Sequence, residues 1–263
     1  MPGTDTDQSL AERVSLRGKT ALVTGASRGI GEAVARRLDA SGVRVALSAR
    51  SEQGLKAVAA TLSNDPVVLP ADLALPDAAG ALAASAIAEL GGVDVLVNNA
   101  GVFAGGGPTS QLSTADADAL LSINVRAALQ LAGRIGEHMA GRGGGSIINL
   151  ASVVATTAPP YTALYTASKG ALEAATRALA GEWGAAGVRV NAVSPGIVDT
   201  DMGAFVTTDP DAHARYNSNV PLGRVASPAD VADLVAFLAS PAASYINASN
   251  VLLDGGWATT SAA

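Results

Sequence analysis

Short runs of aliphatic and β-branched residues alternate along the chain with longer, alanine-rich amphipathic segments. The short runs have the length and composition of buried strands, and the longer ones have the spacing of helices with one apolar face. The predicted strands are residues 21–24, 44–48, 67–69, 93–98, 146–150, 189–193 and 251–253. The predicted helices are residues 30–40, 52–62, 78–90, 114–140, 163–183 and 228–238. The alternation predicts an α/β fold with a doubly wound parallel seven-stranded sheet and helices on both faces.

Three stretches depart from this alternation. Residues 1–17 are predicted to be a mobile leader with one helical turn, followed by a single domain over residues 18–263. Residues 103–110 form a flexible, glycine-rich loop after the fourth strand, and residues 197–222 lie between the sixth strand and the last helix. Both follow the carboxyl ends of strands, where open α/β sheets bind ligands. The second, punctuated by Pro210 and Pro221, is long enough to be a substrate lid.

Composition excludes several classes of function. Of the 263 residues 49% are hydrophobic but only 3% are aromatic, so the core must consist of small aliphatic side chains. The net charge of -6, without a basic run, argues against a nucleic-acid or anionic-membrane partner. The chain has no cysteine, and His138 and His213 lie far apart, so neither a disulfide nor a metal site is predicted. No apolar run reaches the roughly 20 residues of a membrane span, and a cytoplasmic protein is predicted.

A glycine-rich turn follows the first predicted strand. The segment from Thr24 to Gly31 reads TGASRGIG, and its glycines at 25, 29 and 31 have the spacing G-x-x-x-G-x-G. Glycines between a strand and a helix let the backbone approach a pyrophosphate, which the amides at the helix N-terminus then stabilise. The segment therefore predicts a dinucleotide site, although a tight structural turn would use the same residues.

A second constellation combines a serine, a tyrosine and a lysine. Tyr165 and Lys169 are four residues apart and share one face of the helix predicted over 163–183, and Ser152 lies 13 residues before Tyr165. A phenol has an ordinary pKa of about 10, and a cation nearby would lower it towards neutrality. The pair therefore predicts an acid-base group, while the alternative is a half-buried tyrosine beside a solvated lysine.

In order and spacing these pieces resemble the classical short-chain dehydrogenases/reductases from about residue 18 to residue 257. The matching pieces are TGASRGIG at 24–31, Asp72, NNAG at 98–101, Asn124, Ser152, YTASK at 165–169, Pro195-Gly196 and Thr200. The resemblance implies a Rossmann-type fold and a nicotinamide cofactor. The residues it implies for cofactor binding are Gly25, Ser27, Arg28, Gly29, Ile30, Gly31, Arg50, Asp72, Leu73, Asn99, Ala100, Gly101, Tyr165, Lys169, Pro195, Gly196 and Thr200.

Two of these implied contacts have competing structural explanations. Asp72, with Leu73, would contact the adenine, but an aspartate at this place could equally close a turn or cap the helix that begins near residue 78. Thr200 would meet the nicotinamide carboxamide, and a helix cap is the competing role. Asn98 would stabilise the central strand beside the cofactor.

The end of the second strand predicts which cofactor is used. Family members that use NAD carry an acidic residue at the place of Ala49, where a carboxylate accepts hydrogen bonds from the ribose 2′-hydroxyl. Here Ala49 is followed by Arg50, and Arg28 lies in the glycine-rich turn. Two guanidinium groups would bind a 2′-phosphate, which predicts NADP(H) rather than NAD(H). The alternative is that Arg50 is an ordinary solvated loop residue.

The resemblance also implies roles in catalysis. Tyr165 would be the general acid in reduction and the base in oxidation, and Ser152 would hold the substrate oxygen. Lys169 would lower the pKa of the tyrosine and bind the nicotinamide ribose, and Asn124 would anchor a water that relays protons through Lys169. Tyr161 lacks a lysine four residues later and is interpreted as a wall of the pocket.

The prediction is therefore an oxidoreductase that moves a hydride between NADP(H) and a small, neutral ketone or secondary alcohol, as carbonyl reductases do. Alternatives are a 3-oxoacyl-thioester reductase, an NAD-dependent secondary alcohol dehydrogenase and a non-catalytic nucleotide-sensing protein on the same fold. A lyase that had lost the nucleotide would fill the glycine-rich turn with bulky side chains, and here the turn is intact. By the habit of the family, the helices over 114–140 and 163–183 would pair across subunits in a homotetramer.

Overall fold

The computed structural model describes residues 9–103 and 106–260. Its strands are β1 (Thr20–Thr24), β2 (Arg44–Ser48), β3 (Val67–Val68), β4 (Val95–Asn98), β5 (Gly145–Leu150), β6 (Val188–Pro195) and β7 (Asn250–Leu253). The helices of its first half are α1 (Leu10–Arg13), α2 (Gly29–Ala40), α3 (Glu52–Ala59), α4 (Ala78–Leu90), α5 (Thr114–Leu121) and α6 (Ala128–Ala140). Those of its second half are α7 (Val154–Thr157), α8 (Ala163–Trp183), α9 (Ala204–Thr207), α10 (Pro210–Asn219), α11 (Pro228–Ala239) and α12 (Trp257–Thr260).

All seven strands belong to one sheet, in the order β3-β2-β1-β4-β5-β6-β7. Each neighbouring pair is parallel, and β1 pairs with both β2 and β4. The chain therefore adds β2 and β3 on one side of β1 and then β4 to β7 on the other side. The predicted doubly wound, Rossmann-type sheet is confirmed, and its topological switch point lies between the carboxyl ends of β1 and β4.

Helices cover the sheet on both faces, and each face has its own apolar core. One core packs α2, α3 and α11 against the sheet, and the other packs α4, α6 and the C-terminal part of α8 against the opposite face. Most of the buried side chains are Ala, Val, Leu and Ile, as the low aromatic content predicts. Small side chains allow helices and strands to approach closely, which keeps the carboxyl ends of the central strands in one rigid edge.

The long helix predicted over 114–140 is interrupted. Residues Ser122–Ala127 are π-helical and separate α5 from α6. A π-helical turn carries one extra residue, so it shifts the side chains that follow and often marks a functional position. Asn124 lies in this segment and is 1% exposed.

The stretch 197–222, which departs from the strand-helix alternation of the sequence, is largely helical. It contains a 3-10 turn at Asp201–Gly203, then α9 and α10. Pro210 is the first residue of α10, where proline is well tolerated, and the Asp209 side chain accepts hydrogen bonds from the amides of Asp211 and Ala212. Asp209-Pro210 is thus a helix start and not a loop signal. We retain the name lid for residues 197–222.

The packed part of the chain begins earlier than residue 18. Helix α1 is capped by Ser9 and Glu12 in a capping box, and Leu16 is 2% exposed within the core. Residues 1–8 of the predicted leader, and Ala104 and Gly105 of the predicted loop, lie outside the described residues. Within the described ranges, no helix is both long and apolar enough to cross a bilayer.

Candidate active site

A cavity of about 1010 Å³ opens at the switch point of the sheet. It extends from the glycine-rich turn after β1 to the lid. Most of the cofactor residues predicted from the sequence line it: Gly25, Ser27, Arg28, Gly29, Ile30, Arg50, Asp72, Leu73, Asn99, Ala100, Gly101, Tyr165, Lys169, Pro195 and Thr200. Two others, Gly31 and Gly196, lie behind the surface of the cavity and act by leaving space for their neighbours.

The glycine-rich turn needs its glycines for two different reasons. Gly25 and Gly29 have φ values of 66° and 58°, in the left-handed region that other residues adopt at a cost. Gly31 is buried, and a Cβ on it would collide with the carbonyl oxygen of Gly25 and the side chain of Asn99. The turn therefore keeps the N-terminus of α2 close to the end of β1, where backbone amides face the cavity.

The segment 98–101 is fastened to this turn by a small network. The Thr24 hydroxyl accepts hydrogen bonds from the backbone amides of Asn99 and Ala100, each at 3.0 Å. The Asn99 amide group donates to the carbonyl of Thr24 at 2.8 Å, and the buried Asn98 donates to Asn149 at 2.9 Å. These contacts fix the ends of β1, β4 and β5 relative to one another.

The two arginines predicted to bind a 2′-phosphate both line the cavity, but they are not equivalent. Arg50 is exposed at the end of β2. The guanidinium of Arg28 forms a 2.7 Å salt bridge with Asp201, which joins the glycine-rich turn to the lid across the mouth of the cavity. Both side chains of this pair are about three-quarters exposed, so the pair is weak and exchangeable.

Local hydrogen bonds test the competing structural roles of Asp72 and Thr200. Asp72 accepts a hydrogen bond from the amide of Ala74 at 3.0 Å, whereas the N-cap of α4 is Asp77. Asp72 therefore closes a turn and does not cap the helix. Thr200 takes the N-cap position of the 3-10 turn at 201–203, but its side chain caps no amide there and its hydroxyl bonds weakly to Val198.

Ser152, Tyr165 and Lys169 come together beside the cavity. Ser152 follows β5 by two residues, while Tyr165 and Lys169 lie on successive turns of α8. The Ser152 hydroxyl lies near enough to the Tyr165 phenol to lower its pKa. The Lys169 Nζ lies 5.7 Å from the centre of the Tyr165 ring and donates to the carbonyl oxygen of Leu150 at 2.7 Å. One strand end and one helix face thus build the whole arrangement.

Burial opposes the charged form of both ionisable groups. It raises the pKa of Tyr165 to about 12, against a smaller lowering by the hydrogen bond from Ser152. Burial also lowers the pKa of Lys169 to about 8. The predicted lowering of the tyrosine pKa by Lys169 is absent in this structure, because the ammonium faces the carbonyl of Leu150 and the phenol is largely removed from water.

Asn124 joins the π-helical segment to the loop after β4. Its side-chain oxygen accepts a hydrogen bond from the amide of Val102 at 2.8 Å, and its amide group donates to the Val102 carbonyl at 2.9 Å and to the Ser168 hydroxyl at 3.2 Å. A Cβ on Gly101 would lie 3.4 Å from both Asn124 Oδ1 and Lys169 Nζ, which puts the asparagine in the neighbourhood of the lysine.

Two aromatic residues lie on the loops beside the site: Phe103, which the sequence did not single out, and Tyr161, which it predicted to be a wall of the pocket. The Phe103 ring meets the Tyr165 ring edge-on, with centroids 5.0 Å apart at 89°. Tyr161, with φ of 68°, accepts a hydrogen bond from the amide of Gly107 and so joins the two loops beside the site. Phe103 lies two residues after the NNAG motif. This closeness to the motif was the signal in the sequence that could have placed Phe103 beside the site.

Comparisons with known proteins agree with this geometry. The family model described as enoyl-(acyl carrier protein) reductase matches residues 25–258. The chain is 39% identical to the D-threitol dehydrogenase of Mycolicibacterium smegmatis, over 92% of this chain and 94% of that protein. The chain belongs to the short-chain dehydrogenase/reductase family. It is accordingly an oxidoreductase that transfers a hydride between a nicotinamide cofactor and a ketone or secondary alcohol.

Solved structures of this family superpose closely. One is a 3-ketoacyl-(acyl-carrier-protein) reductase from Brucella melitensis complexed with NADH, with a TM-score of 0.87 and 32% identity over 93% of this chain and all of that one. Another is a gluconate 5-dehydrogenase from Burkholderia cenocepacia in complex with NADP and tartrate, with a TM-score of 0.89 and 29% identity over 95% and 98% of the two chains. These short-chain dehydrogenases/reductases differ in both cofactor and substrate, so neither follows from the family.

The residues present fit a dinucleotide. The cavity is long enough to reach from the N-terminus of α2 to Lys169, and the glycine-rich turn leaves room for a pyrophosphate. The Ser48 hydroxyl, at the end of β2 in the lining, is buried and has no hydrogen-bond partner among the described residues. A buried hydroxyl without a hydrogen-bond partner indicates that a further polar group binds next to it.

Proposed function

We propose that the protein is an NADP(H)-dependent reductase of small, neutral ketones, working reversibly as a secondary alcohol dehydrogenase. The observation that supports the proposal is the meeting of Ser152, Tyr165 and Lys169 at one end of a cavity whose other end is lined by Arg28 and Arg50. One end can move a proton at a carbonyl oxygen, and the other offers two cations to a phosphate.

The chain's own residues supply the proton chemistry. A bound nicotinamide supplies the hydride in reduction and accepts it in oxidation. In reduction the Ser152 hydroxyl holds the carbonyl oxygen, and Tyr165 transfers its phenol proton to that oxygen as the alcohol forms. Lys169, four residues along α8, is charged below a pH of about 8 and would stabilise the tyrosinate that remains. We assign Asn124 to a water that returns the proton through Lys169.

The preference for NADP(H) rests on charge at the end of β2. Ala49 stands where an acidic residue would accept the ribose 2′-hydroxyl, and the exposed Arg50 follows it at the rim of the cavity. Arg28 would have to exchange its salt bridge with Asp201 for a phosphate. Exchange is feasible because both side chains are largely solvated and a phosphate offers more acceptors than a single carboxylate.

The proposed substrate class follows from apolar side chains of the segments beside Tyr165. Phe103 lies against Tyr165, and Tyr161, Phe205 and Leu222 are exposed apolar side chains of the adjoining loop and lid. Such surroundings favour a neutral substrate with an apolar group beside the carbonyl. A 3-oxoacyl thioester is the second candidate, because an exposed apolar lid could also cover an acyl chain.

Assembly and location complete the proposal. We place the protein in the cytoplasm and expect a homotetramer in which the segment 114–140, which contains α5 and α6, and the helix α8 pair with their counterparts across subunits, since their small side chains permit close helix packing. Light scattering on the purified protein should then give four times the chain mass of 25.9 kDa.

The direct test of the function is consumption of NADPH in the presence of candidate substrates, with NADH in parallel. The panel contains cyclic ketones, linear ketones and an acetoacetyl thioester. Rapid reduction of simple ketones with NADPH supports the proposal, and faster reduction of the thioester would replace the substrate assignment with the second candidate. Binding of NADPH without turnover on any carbonyl or alcohol would favour a nucleotide-sensing protein.

A further inference from the structure

The turn after β6 is held by a side chain of the lid. The backbone amide of Ile197 donates a hydrogen bond to the Tyr216 hydroxyl, on α10, at 2.9 Å. Ile197 lies between Pro195 and Thr200, both of which line the cavity where the nicotinamide half of a dinucleotide would be. Tyr216 does not line the cavity itself, yet it contacts the backbone that does.

Gly196 shows how closely the segments meet at this point. A Cβ on Gly196 would lie 2.8 Å from the Tyr216 hydroxyl and 3.2 Å from the Cα of Asp254. The amide of Gly196 also donates to the carbonyl of Leu253 at 3.0 Å. The turn is therefore enclosed between the lid helix on one side and the segment after β7 on the other, and a residue larger than glycine would separate them.

The segment after β7 is itself rigidly built. Asp254, 8% exposed, accepts hydrogen bonds from the amides of Gly256 at 2.9 Å and Ala258 at 2.7 Å. The Trp257 ring lies 5.7 Å from the Tyr216 ring at a tilt of 57°. Burial and the nearby Asp254 carboxylate both raise the pKa of Tyr216, so the phenol keeps its proton. Lid, turn and C-terminal segment thus meet around one tyrosine.

We propose that Tyr216 is a positioning residue for cofactor binding, which fixes the turn at Gly196 and Ile197, and through it Thr200, against the C-terminal segment. The inference rests on the proposed function, because it takes Thr200 to be a wall of the cofactor site. Without the phenol oxygen the Ile197 amide has lost its acceptor, and the turn can shift to find another. Ser152 follows β5, Tyr165 and Lys169 lie on α8, and none of the three depends on this contact.

The test compares Tyr216→Phe with Tyr245→Phe, which removes the same hydroxyl from a fully exposed ring. Calorimetric titration with NADPH and steady-state kinetics on a reducible ketone are measured for both. We expect Tyr216→Phe to raise the Kd and KM for NADPH roughly five- to tenfold, the effect of one lost hydrogen bond, with kcat at saturating NADPH within about twofold of the wild type. Tyr245→Phe should match the wild type.

A second variant keeps the test informative if Tyr216→Phe does not fold. Gly196→Ala keeps the tyrosine but pushes its hydroxyl away from the turn, and it should raise the KM for NADPH in the same way. Equal cofactor affinities in Tyr216→Phe and Tyr245→Phe would overturn the inference, as would a loss confined to kcat. If Tyr216→Phe does not fold, an unchanged KM in Gly196→Ala overturns it. Failure of the wild type to bind either cofactor would instead refute the proposed function.

Discussion

At the scale of single residues, the proposed mechanism places the chemistry on two ionisable side chains, and burial shifts their pKa values in opposite directions. Burial raises the pKa of Tyr165 to about 12 and lowers the pKa of Lys169 to about 8. At neutral pH the pair is therefore a neutral phenol beside an ammonium. This is the protonation state that ketone reduction requires.

The pH dependence of reduction follows from these values. As the pH rises through about 8, Lys169 loses its charge while Tyr165 stays protonated, so the rate of ketone reduction should be level at lower pH and fall above 8. Lys169→Arg keeps its charge and should remove the fall, even if its overall rate is lower. Rates measured at saturating NADPH from pH 6 to 10 test this, and a reduction rate that increases through pH 8 would contradict it.

The choice of cofactor is a second prediction about a single residue. Arg50→Asp places a carboxylate at the end of β2, which repels a 2′-phosphate and accepts a ribose hydroxyl. The ratio of kcat/KM for NADPH to that for NADH should fall by about tenfold or more. Arg17→Asp makes the same charge change at an exposed position outside the cavity and should leave the ratio unaltered. An unchanged ratio in Arg50→Asp would rule out the assignment.

Residue types and spacing predicted much of this site because the motif residues lie at strand ends and on one helix face. Tyr165 and Lys169 had to share a face once α8 formed, and Ser152 had to lie near the end of β5. The sequence could not show that Lys169 would turn to the carbonyl of Leu150, nor that Arg28 would pair with Asp201, 173 residues away. Both depend on side-chain directions that only the packed structure determines.

At the scale of elements, the π-helical segment and the lid show where helices could not be predicted correctly from apolar spacing and proline positions. The apolar spacing over 114–140 is compatible with one long helix, and the interruption arises because Asn124 binds the backbone of Val102 from another part of the chain. In the lid, Pro210 is a helix start because Asp209 caps it. Strand β2 and helices α4 and α8, by contrast, have the bounds that the sequence predicted, since their apolar patterns end at clear polar or glycine positions.

The glycine-rich turn gives a prediction at this scale. Gly31→Ala forces apart β1 and the start of α2, because its Cβ would collide with the Gly25 carbonyl, and it should lower stability by about 1–3 kcal/mol and weaken NADPH binding. Gly80→Ala, in α4, meets nothing within 4 Å and should raise stability by roughly 0.5–1 kcal/mol with binding unchanged. Urea denaturation and calorimetry measure both. A Gly31→Ala protein as stable and as tight-binding as the wild type would contradict this account of the turn.

At the scale of the whole molecule, the sheet order brings residues from six segments to one edge. The strand-helix alternation predicted a parallel sheet with helices on both faces, but the alternation alone does not give the order of the strands. Because β1 and β4 are neighbours, the turn at 24–31 and the segment at 98–101 share one cavity, and β5 and β6 extend it to Ser152 and Thr200. Arg28, Arg50 and Lys169 bring positive charge to this cavity although the chain as a whole has a net charge of -6, and Asp72, Asp199 and Asp201 line it as well.

The central claim is that Tyr165 gives the proton in a hydride transfer that uses NADPH. It is tested most directly by measuring, on one preparation of Tyr165→Phe, both the Kd for NADPH and the rate of ketone reduction, beside the wild type and Tyr245→Phe. The account predicts an NADPH affinity within about threefold of the wild type and a turnover lowered by about 100-fold or more, while Tyr245→Phe behaves as the wild type. Turnover near the wild-type rate in Tyr165→Phe would contradict it.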